Sequence, residues 1–468
     1  MKTVAALAAI IALGLGLRVA EAWDGRPPVY DAAAYATIAA NLADGEGFAL
    51  GAGATQPASN YSPGLPLLVA ALYEASGGEH ERFARLVLAL IGALAIGFAF
   101  SIGRRLSGPT AGLIGAGAVA IYPGLIEYQG MTMGEPLAAS LLSGAVLSML
   151  WAAGPASSGA RVLSRGRGAG EPLGFSPGGE TAVRDGGRGE KQDAASPRHP
   201  SPTPPARGWL IPGLLLGALA LVRPEYLGIA GLMAAVVAVR QGRDGWKRCG
   251  AQALALLLGV AVVVVPWTVR NAVALDRFVP ISTGGGQVLF AGSYLPSDGD
   301  PERVGEEVLE RHPELRAELP AEPRLEQVLA ALATQRYPEL ESDEALARMG
   351  RERLWDAISE QPLEYAEFVA AKIWRVWGHG PRDVMREPVW AALHWLLVGF
   401  GLLGLGLLAR QRRWEALLLG VVLLAVTATG ALLVASPRRL LVTVPLLAAL
   451  AGVGVSASCA WLRSHSRH

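Results

Sequence analysis

The chain alternates between long apolar runs almost free of charge and polar stretches of two kinds, short basic ones and long mixed ones. The apolar runs lie near residues 4–22, 83–103, 109–125, 135–153, 209–222, 225–239, 250–268, 389–409, 415–434 and 439–458. A bilayer core is crossed by about 20 apolar helical residues, so the pattern predicts ten transmembrane helices. The short connections follow a sign rule: Arg104 and Arg105, then Arg240, Arg243, Lys247 and Arg248, then Arg410, Arg412 and Arg413, then Arg463 and Arg467 all fall on one side. Basic short loops mark the cytoplasm, which places both termini there. Because the alternation holds only if no span is missed or invented, it supports the count as well as the orientation. Residues 1–22 also fit a cleavable signal peptide, with Lys2, an apolar run and Ala20-Glu21-Ala22. In either case Trp23 onward emerges outside.

The pattern divides the chain into N-terminal spans with a first outer loop (1–153, loop 23–82), a cytoplasmic loop (154–208), middle spans (209–268), an outer segment (269–388) and C-terminal spans with a short tail (389–468). Residues 154–208 are rich in Gly, Ser, Pro and Arg, with Phe175 as their one aromatic. Such a stretch buries too little apolar surface to offset chain entropy and is expected to be disordered. The outer segment contains helical stretches near 323–336 and 342–374, the second with Leu354, Ile358, Tyr365, Phe368 and Ile373 at helical spacing. Trp374, Trp377 and Trp390 flank the return to the membrane as interfacial aromatics do. No repeat period suggests a solenoid or an inverted-repeat transporter.

Composition agrees with this division. Of 468 residues 51% are hydrophobic and 17% charged, with a mean hydropathy of +0.34, too apolar for an ordinary soluble protein. The net charge of +1 gives no reason to expect a nucleic-acid partner. Cys249 and Cys459 alone exclude a disulfide framework or a cysteine-rich metal site.

The chemistry-bearing residues sit at the outer ends of the spans. The first outer loop reads Val29-Tyr30-Asp31-Ala32-Ala33-Ala34-Tyr35, then Asp44-Gly45-Glu46-Gly47-Phe48, then Asn60-Tyr61-Ser62-Pro63-Gly64-Leu65-Pro66. Tyr122-Pro123 closes the third span, Met133-Gly134-Glu135-Pro136 opens the fourth, and Val222-Arg223-Pro224-Glu225 forms the next outer turn. Pro266-Trp267-Thr268-Val269-Arg270-Asn271 is followed by Phe278-Val279-Pro280-Ile281-Ser282-Thr283-Gly284-Gly285-Gly286, and Ser436-Pro437-Arg438-Arg439 comes near the end.

In this order the pieces resemble the GT-C membrane glycosyltransferases, the group of the protein O-mannosyltransferases and the lipid A aminoarabinose transferases, and their bacterial relatives. The resemblance spans most of the chain outside 154–208, and its most specific part is the stretch from Pro266 to Gly286. It implies an all-α polytopic membrane protein, a GT-C-like bundle of about ten spans with outer juxtamembrane helices. It also implies inverting transfer, at the extracytoplasmic face, of a sugar from a polyprenyl-phosphate donor to an envelope lipid, glycan or protein acceptor.

The residues suit that chemistry. A donor with its tail in the bilayer needs cations at the interface, and Arg223, Arg270, Arg438 and Arg439 lie there. Guanidinium groups stabilise the charge gained by a departing phosphate. The acceptor hydroxyl needs a base, for which Asp31 is the candidate, with Glu135 as a second catalytic acid. Tyr35, Tyr61, Glu225, Asn271 and His379 are candidate substrate contacts. Each has a plainer explanation: Asp31 caps a helix over 32–43, Glu135 faces a helix N-terminus, Arg223 neutralises Glu225, and the arginines snorkel. Relatives often carry a second acid beside the first, where this chain has Ala32; a divalent metal is left open and no cofactor is assigned. Asp298-Gly299-Asp300 reads as a turn, and the triple glycine at 284–286, lacking Gly-Lys-Ser/Thr, reads as a close turn near the site. The competing classes are a transporter or lipid-linked sugar flippase, disfavoured because the charges gather at helix ends rather than the midplane, and a non-catalytic relative.

Overall fold

The computed structural model describes residues 1–51, 56–154, 206–242, 245–297, 300–378, 380 and 382–466. The loop expected to be disordered, His379, Asp298 and Gly299 therefore lie outside the described residues, apart from the loop's two ends. All ten apolar runs are helical. The first is α1 (Lys2–Asp24), followed by α2 (Asp31–Ala43), a two-residue antiparallel pair β1 (Ala49–Leu50) and β2 (Gln56–Pro57), and α3 (Gly64–Ser76). Then come α4 (Glu81–Ser107), α5 (Pro109–Ile121), α6 (Pro123–Glu127) and α7 (Glu135–Ala152). The middle helices are α8 (Leu210–Val222), α9 (Tyr226–Val239) and α10 (Trp246–Leu275). A run of helices outside the bundle comprises α11 (Gly285–Gly292), α12 (Pro301–Arg311), α13 (Leu325–Arg336), α14 (Ser342–Glu360) and α15 (Pro362–Gly378). The chain closes with α16 (Pro388–Arg410), α17 (Trp414–Leu432), α18 (Arg438–Leu441) and α19 (Val444–His465).

Among the described residues seven helices, α1, α4, α7, α10, α16, α17 and α19, are long and apolar enough to cross a membrane. Counted as one span, α5 and the region Pro123–Gly130, bent by 55° relative to each other, bring the number to eight. The helices α8 and α9 are apolar but shorter. The protein is a multi-pass membrane protein, built almost wholly of helices.

The bend in the third span follows from Pro123. A proline disfavours helical backbone in the residue before it, and Tyr122 is extended at φ −69°, ψ 113°. Pro123 also lacks the N–H that would bond to the carbonyl of Val119. Arg18, fully buried in α1, replaces it: its guanidinium donates to Val119 O (2.8 Å), Ala120 O (3.1 Å) and Gly14 O (2.9 Å). A proline likewise splits the stretch expected as one helix over 342–374, since Gln361 before Pro362 leaves the helical region (φ −133°, ψ 53°) and separates α14 from α15.

Small residues let the spans approach closely. A Cβ at Gly404 of α16 would run into the backbone of Leu450 in α19, and one at Gly213 of α8 into that of Leu256 in α10. A polar chain also crosses the bundle beside the α5 bend: Tyr122 Oη bonds to His394 Nδ1 (3.1 Å), His394 Nε2 to Trp377 O (2.7 Å), and Trp377 Nε1 donates to Thr427 Oγ1 (3.1 Å).

The helices α11 to α14 hold a second core of their own, with Phe290, Tyr294, Val308, Leu329, Leu332 and Leu346 buried in it. Lys372 of α15 ties this unit down, donating to the carbonyl of Gly292 at the C-terminus of α11 (2.6 Å). Gly292 itself lies against the backbone of Leu433, just past α17.

Candidate functional site

Three segments far apart in sequence converge at one end of the bundle. Asp31 is the first residue of α2, Glu135 the first of α7, and Arg438 the first of α18. Arg438 Nη1 lies 3.2 Å from Asp31 Oδ2 and 3.9 Å from Glu135 Oε1. Arg223, in the link between α8 and α9, donates to the same Glu135 oxygen at 2.5 Å. Arg439 pairs with Glu225 at 3.4 Å beside it. Six of the residues singled out from sequence thus form one cluster, with three guanidinium groups facing three carboxylates.

The cluster is graded in exposure. The Glu135 side chain is fully buried, Arg223 is 25% exposed, Arg438 38% and Asp31 43%. Asp31 is therefore the most exposed of the three carboxylates, while the buried Glu135 carboxylate lies within 4 Å of both Arg223 and Arg438. Its other oxygen, Oε2, is buried without a hydrogen-bond partner among the described residues. Both acids open helices, where exposed backbone N–H groups favour negative charge. The plainer explanation holds for Glu135, which faces a helix N-terminus, but not for Asp31: Tyr30 occupies the cap position of α2, no side chain caps that end, and Asp31 is the first helical residue, held by Arg438 instead.

Backbone geometry supports a constrained site. Tyr30, immediately before Asp31, has φ 51° although it is not glycine. Such a conformation costs on the order of 1–3 kcal/mol and persists where surrounding structure imposes it.

Tyr35 lies one helical turn after Asp31 and packs edge-on against Tyr61, with ring centroids 5.7 Å apart. Burial, only partly offset by Arg223, pushes the Tyr35 hydroxyl up to about 12, and burial raises that of Tyr61 too. Both phenols stay protonated at neutral pH and can donate hydrogen bonds to oxygen-rich ligands.

The other candidates are placed differently. Arg270 lies over the rings of Trp267 (4.9 Å) and Phe48 (5.7 Å), and its Nη1 donates to Asn271 Oδ1 (3.2 Å). Asn271 is buried and donates to Val279 O (3.1 Å) and Ile281 O (2.9 Å). Trp267 Nε1 donates to Ile281 O, and Thr268 Oγ1 to Pro280 O, each at 2.8 Å. The most specific sequence motif therefore clips the loop after α10 back onto that helix. Gly284 carries the positive φ (93°) that starts α11, and Gly286 packs against α14, where Asp343 accepts from its N–H at 2.9 Å. Asp300 pairs with Arg375 at 3.4 Å.

Sequence reasoning missed Glu127, Tyr128 and Arg382. Arg382 Nε donates to Glu127 Oε2 at 2.6 Å, and its guanidinium lies 5.9 Å from the Tyr128 ring centroid. The signal was available: Glu127 and Tyr128 directly follow the proline break. An apolar cavity of about 260 Å³ opens between α5, α16 and α19, lined by Tyr122, Met385, Trp390, His394, Leu397 and Phe400 among others.

No protein-family model matches the sequence, and no curated protein does. Solved structures do match. The oligosaccharyltransferase AglB from Archaeoglobus fulgidus, in complex with an inhibitory peptide and a dolichol-phosphate, aligns over 98% of this chain and 50% of its own, at 16% identity and a TM-score of 0.55. An Archaeoglobus fulgidus oligosaccharyltransferase in complex with Zn and sulfate aligns over 97% and 49%, at 13% identity and a TM-score of 0.52. ArnT from Cupriavidus metallidurans bound to undecaprenyl phosphate covers 96% and 78%, at 18% identity and a TM-score of 0.41. The chain spans about half the length of the oligosaccharyltransferases it matches. The GT-C-like helix bundle expected from sequence is thus the observed fold.

Proposed function

We propose that the protein is an inverting glycosyltransferase that moves a sugar from a polyprenyl-phosphate donor to an envelope lipid, glycan or protein acceptor on the outer face of the cell membrane. The observation that carries this reading is the convergence of Asp31 and Glu135 on Arg438, across 407 residues of sequence, at the mouth of a GT-C-like bundle. One fold neighbour, the oligosaccharyltransferase AglB, was solved in complex with a dolichol-phosphate, the class of lipid that such a site would face.

In this mechanism Arg223 and Arg438 hold the donor phosphate beside the membrane. Asp31 Oδ takes the proton of the acceptor hydroxyl as its oxygen bonds to the anomeric carbon from the side opposite the phosphate. The bond from that carbon to the phosphate oxygen breaks, and its electron pair leaves with the phosphate. The guanidinium groups stabilise the charge developing there, so no acid is needed behind the leaving group. Inversion follows from the single displacement. Tyr35 and Tyr61 donate to sugar hydroxyls, and Glu225 fixes Arg439 at the edge of the phosphate site. Arg270, Asn271 and His379 remain assigned to the substrate side: Arg270 by its charge near the mouth, Asn271 through the loop it clips, His379 by its place before α16.

The test uses the full chain in sealed vesicles supplied with a polyprenyl-phosphate sugar and an envelope lipid extract. Expected is donor-dependent glycosylation of the extract on the face bearing Asp31. Donor lipid that crosses the bilayer without release of polyprenyl phosphate would establish a flippase instead.

A further inference from the structure

We infer that the Arg438 guanidinium takes the place that a divalent cation would occupy between Asp31 and Glu135, so that the site carries its own built-in cation. A fold neighbour is described as a complex with Zn, which raises the question of a metal here. The donor set answers it. Among the described residues no three or more His, Cys, Asp or Glu come close enough together to hold a metal ion. The two carboxylates that do converge both lie within 4 Å of one guanidinium nitrogen, at 3.2 and 3.9 Å. The Glu135 oxygen on that side is shared with Arg223 as well. One buried carboxylate oxygen, Glu135 Oε2, is left over. A divalent cation held by one or two carboxylates fills its other positions with water, but here the two carboxylate oxygens that converge, Asp31 Oδ2 and Glu135 Oε1, already face guanidinium groups.

Charge balance points the same way. Asp31, Glu135 and Glu225 are matched by Arg223, Arg438 and Arg439, so a divalent ion would add two uncompensated charges to a partly buried site. Ala32, next to Asp31, offers no further carboxylate. A guanidinium also does what a bridging ion does: it holds two carboxylates at a fixed separation, and its remaining N–H groups can meet phosphate oxygens.

This deepens the transferase reading, but the bridge is tested without transfer. The full chain in lipid nanodiscs is titrated with Mn²⁺ and followed by electron paramagnetic resonance, for the wild type, Asp31→Asn, Arg438→Ala and Arg438→Gln. Expected is no Asp31-dependent binding in the wild type up to about 1 mM, the weak end of oxygen-ligand sites. Removing the arginine frees both carboxylates, so Arg438→Ala or the longer Arg438→Gln should bind Mn²⁺ at least about tenfold more tightly. Wild-type binding that disappears in Asp31→Asn overturns the inference. So does the failure of both folded Arg438 variants to bind better than the wild type. In the vesicle assay a chelator should leave the rate unchanged, and a loss restored by Mn²⁺ would also overturn it. If the wild type transfers no sugar, the enzymatic reading fails while the Mn²⁺ titration still decides the bridge.

Discussion

Arg18 and Arg438 are both sheltered cations in one helical bundle, and they are satisfied in opposite ways. Arg18 is fully buried and donates only to backbone carbonyls, among them the one that Pro123 leaves without a partner. Arg438 meets side-chain carboxylates from two other helices and remains 38% exposed. The first arrangement is closed, with every contact internal to the fold. The second is open, with Asp31 43% exposed; each cluster leaves one buried polar atom without a partner among the described residues, Arg18 Nε in the first and Glu135 Oε2 in the second. The backbone-satisfied charge repairs a helix, whereas the charge of Arg438 is shared between one buried and one exposed carboxylate, the arrangement on which the proposed chemistry rests. If this distinction is right, substitutions at the two clusters should separate folding from transfer.

The largest effect is expected at Asp31. Asp31→Asn keeps the shape and the contact to Arg438 but removes the proton acceptor, so the initial transfer rate should fall by about 10²-fold or more. Melting temperature and donor-lipid binding should stay close to wild type. Unchanged transfer on correctly inserted protein would remove Asp31 from the role of base and collapse the contrast.

Arg223 tests the boundary between the two kinds of cluster, because its partner Glu135 is fully buried while it is itself partly exposed. Arg223→Ala leaves a buried carboxylate with only the more distant Arg438, a loss on the order of 3–5 kcal/mol for an unpaired buried charge. Donor binding should weaken together with stability. Arg223→Ala combined with Glu135→Gln should recover much of the stability and none of the binding. Recovery of both would make the pair purely architectural.

Much of this was legible in the sequence, for reasons that particular residues show. The ten apolar runs are all helical, and in seven of them the helix is also long enough to cross a bilayer, because a sustained apolar run is a sufficient instruction there; the breaks that shorten the others, such as that at Pro123, needed the structure. Asp31, Glu135, Arg223 and Arg438 stood out individually as charges at span ends. Their pairing did not, since nothing local connects residue 31 with residue 438. The stretch from Pro266 to Gly286 was the most specific motif, yet Trp267 and Asn271 within it bond the backbone at 279–281, a use that only the turn of the loop after α10 reveals. Arg18 went unremarked although an arginine inside an apolar run is itself a signal. His394, buried in a span and bonded to Tyr122, was passed over in favour of His379 for the same reason: the apolar runs were read for length rather than for the polar residues inside them.

Arg18 gives the complementary test. Arg18→Met keeps the apolar stem and removes the donors, leaving the Val119 carbonyl orphaned at a cost of about 1–3 kcal/mol. Transfer per folded molecule should be unchanged. A fall in the rate of fully folded protein would show that the α5 bend communicates with the site, and the division into closed and open clusters would be too sharp.

Lys372 sharpens the comparison with the smallest effect, because it shares the closed arrangement of Arg18 but can shed its proton. The residue is 1% exposed, and its amine donates a hydrogen bond to the carbonyl of Gly292. Burial, helped by the nearby Arg439, pushes its pKa down to about 7 from the ordinary lysine value. Between that value and the unfolded pKa of about 10.4 the unfolded chain binds more protons than the folded one. Stability should therefore rise as pH increases through this window, and the cost of burying the charge should be constant below it. A neutral amine still donates to Gly292, so the contact survives deprotonation. Lys372→Met removes the titrating group, and a plot of melting temperature against pH from 7 to 10 should flatten relative to wild type. An arginine cannot titrate there, so Arg18→Met should leave the slope of that plot as it was. Equal slopes for wild type and Lys372→Met would mean that the amine keeps its proton in the folded state, stabilised by a group beyond Gly292.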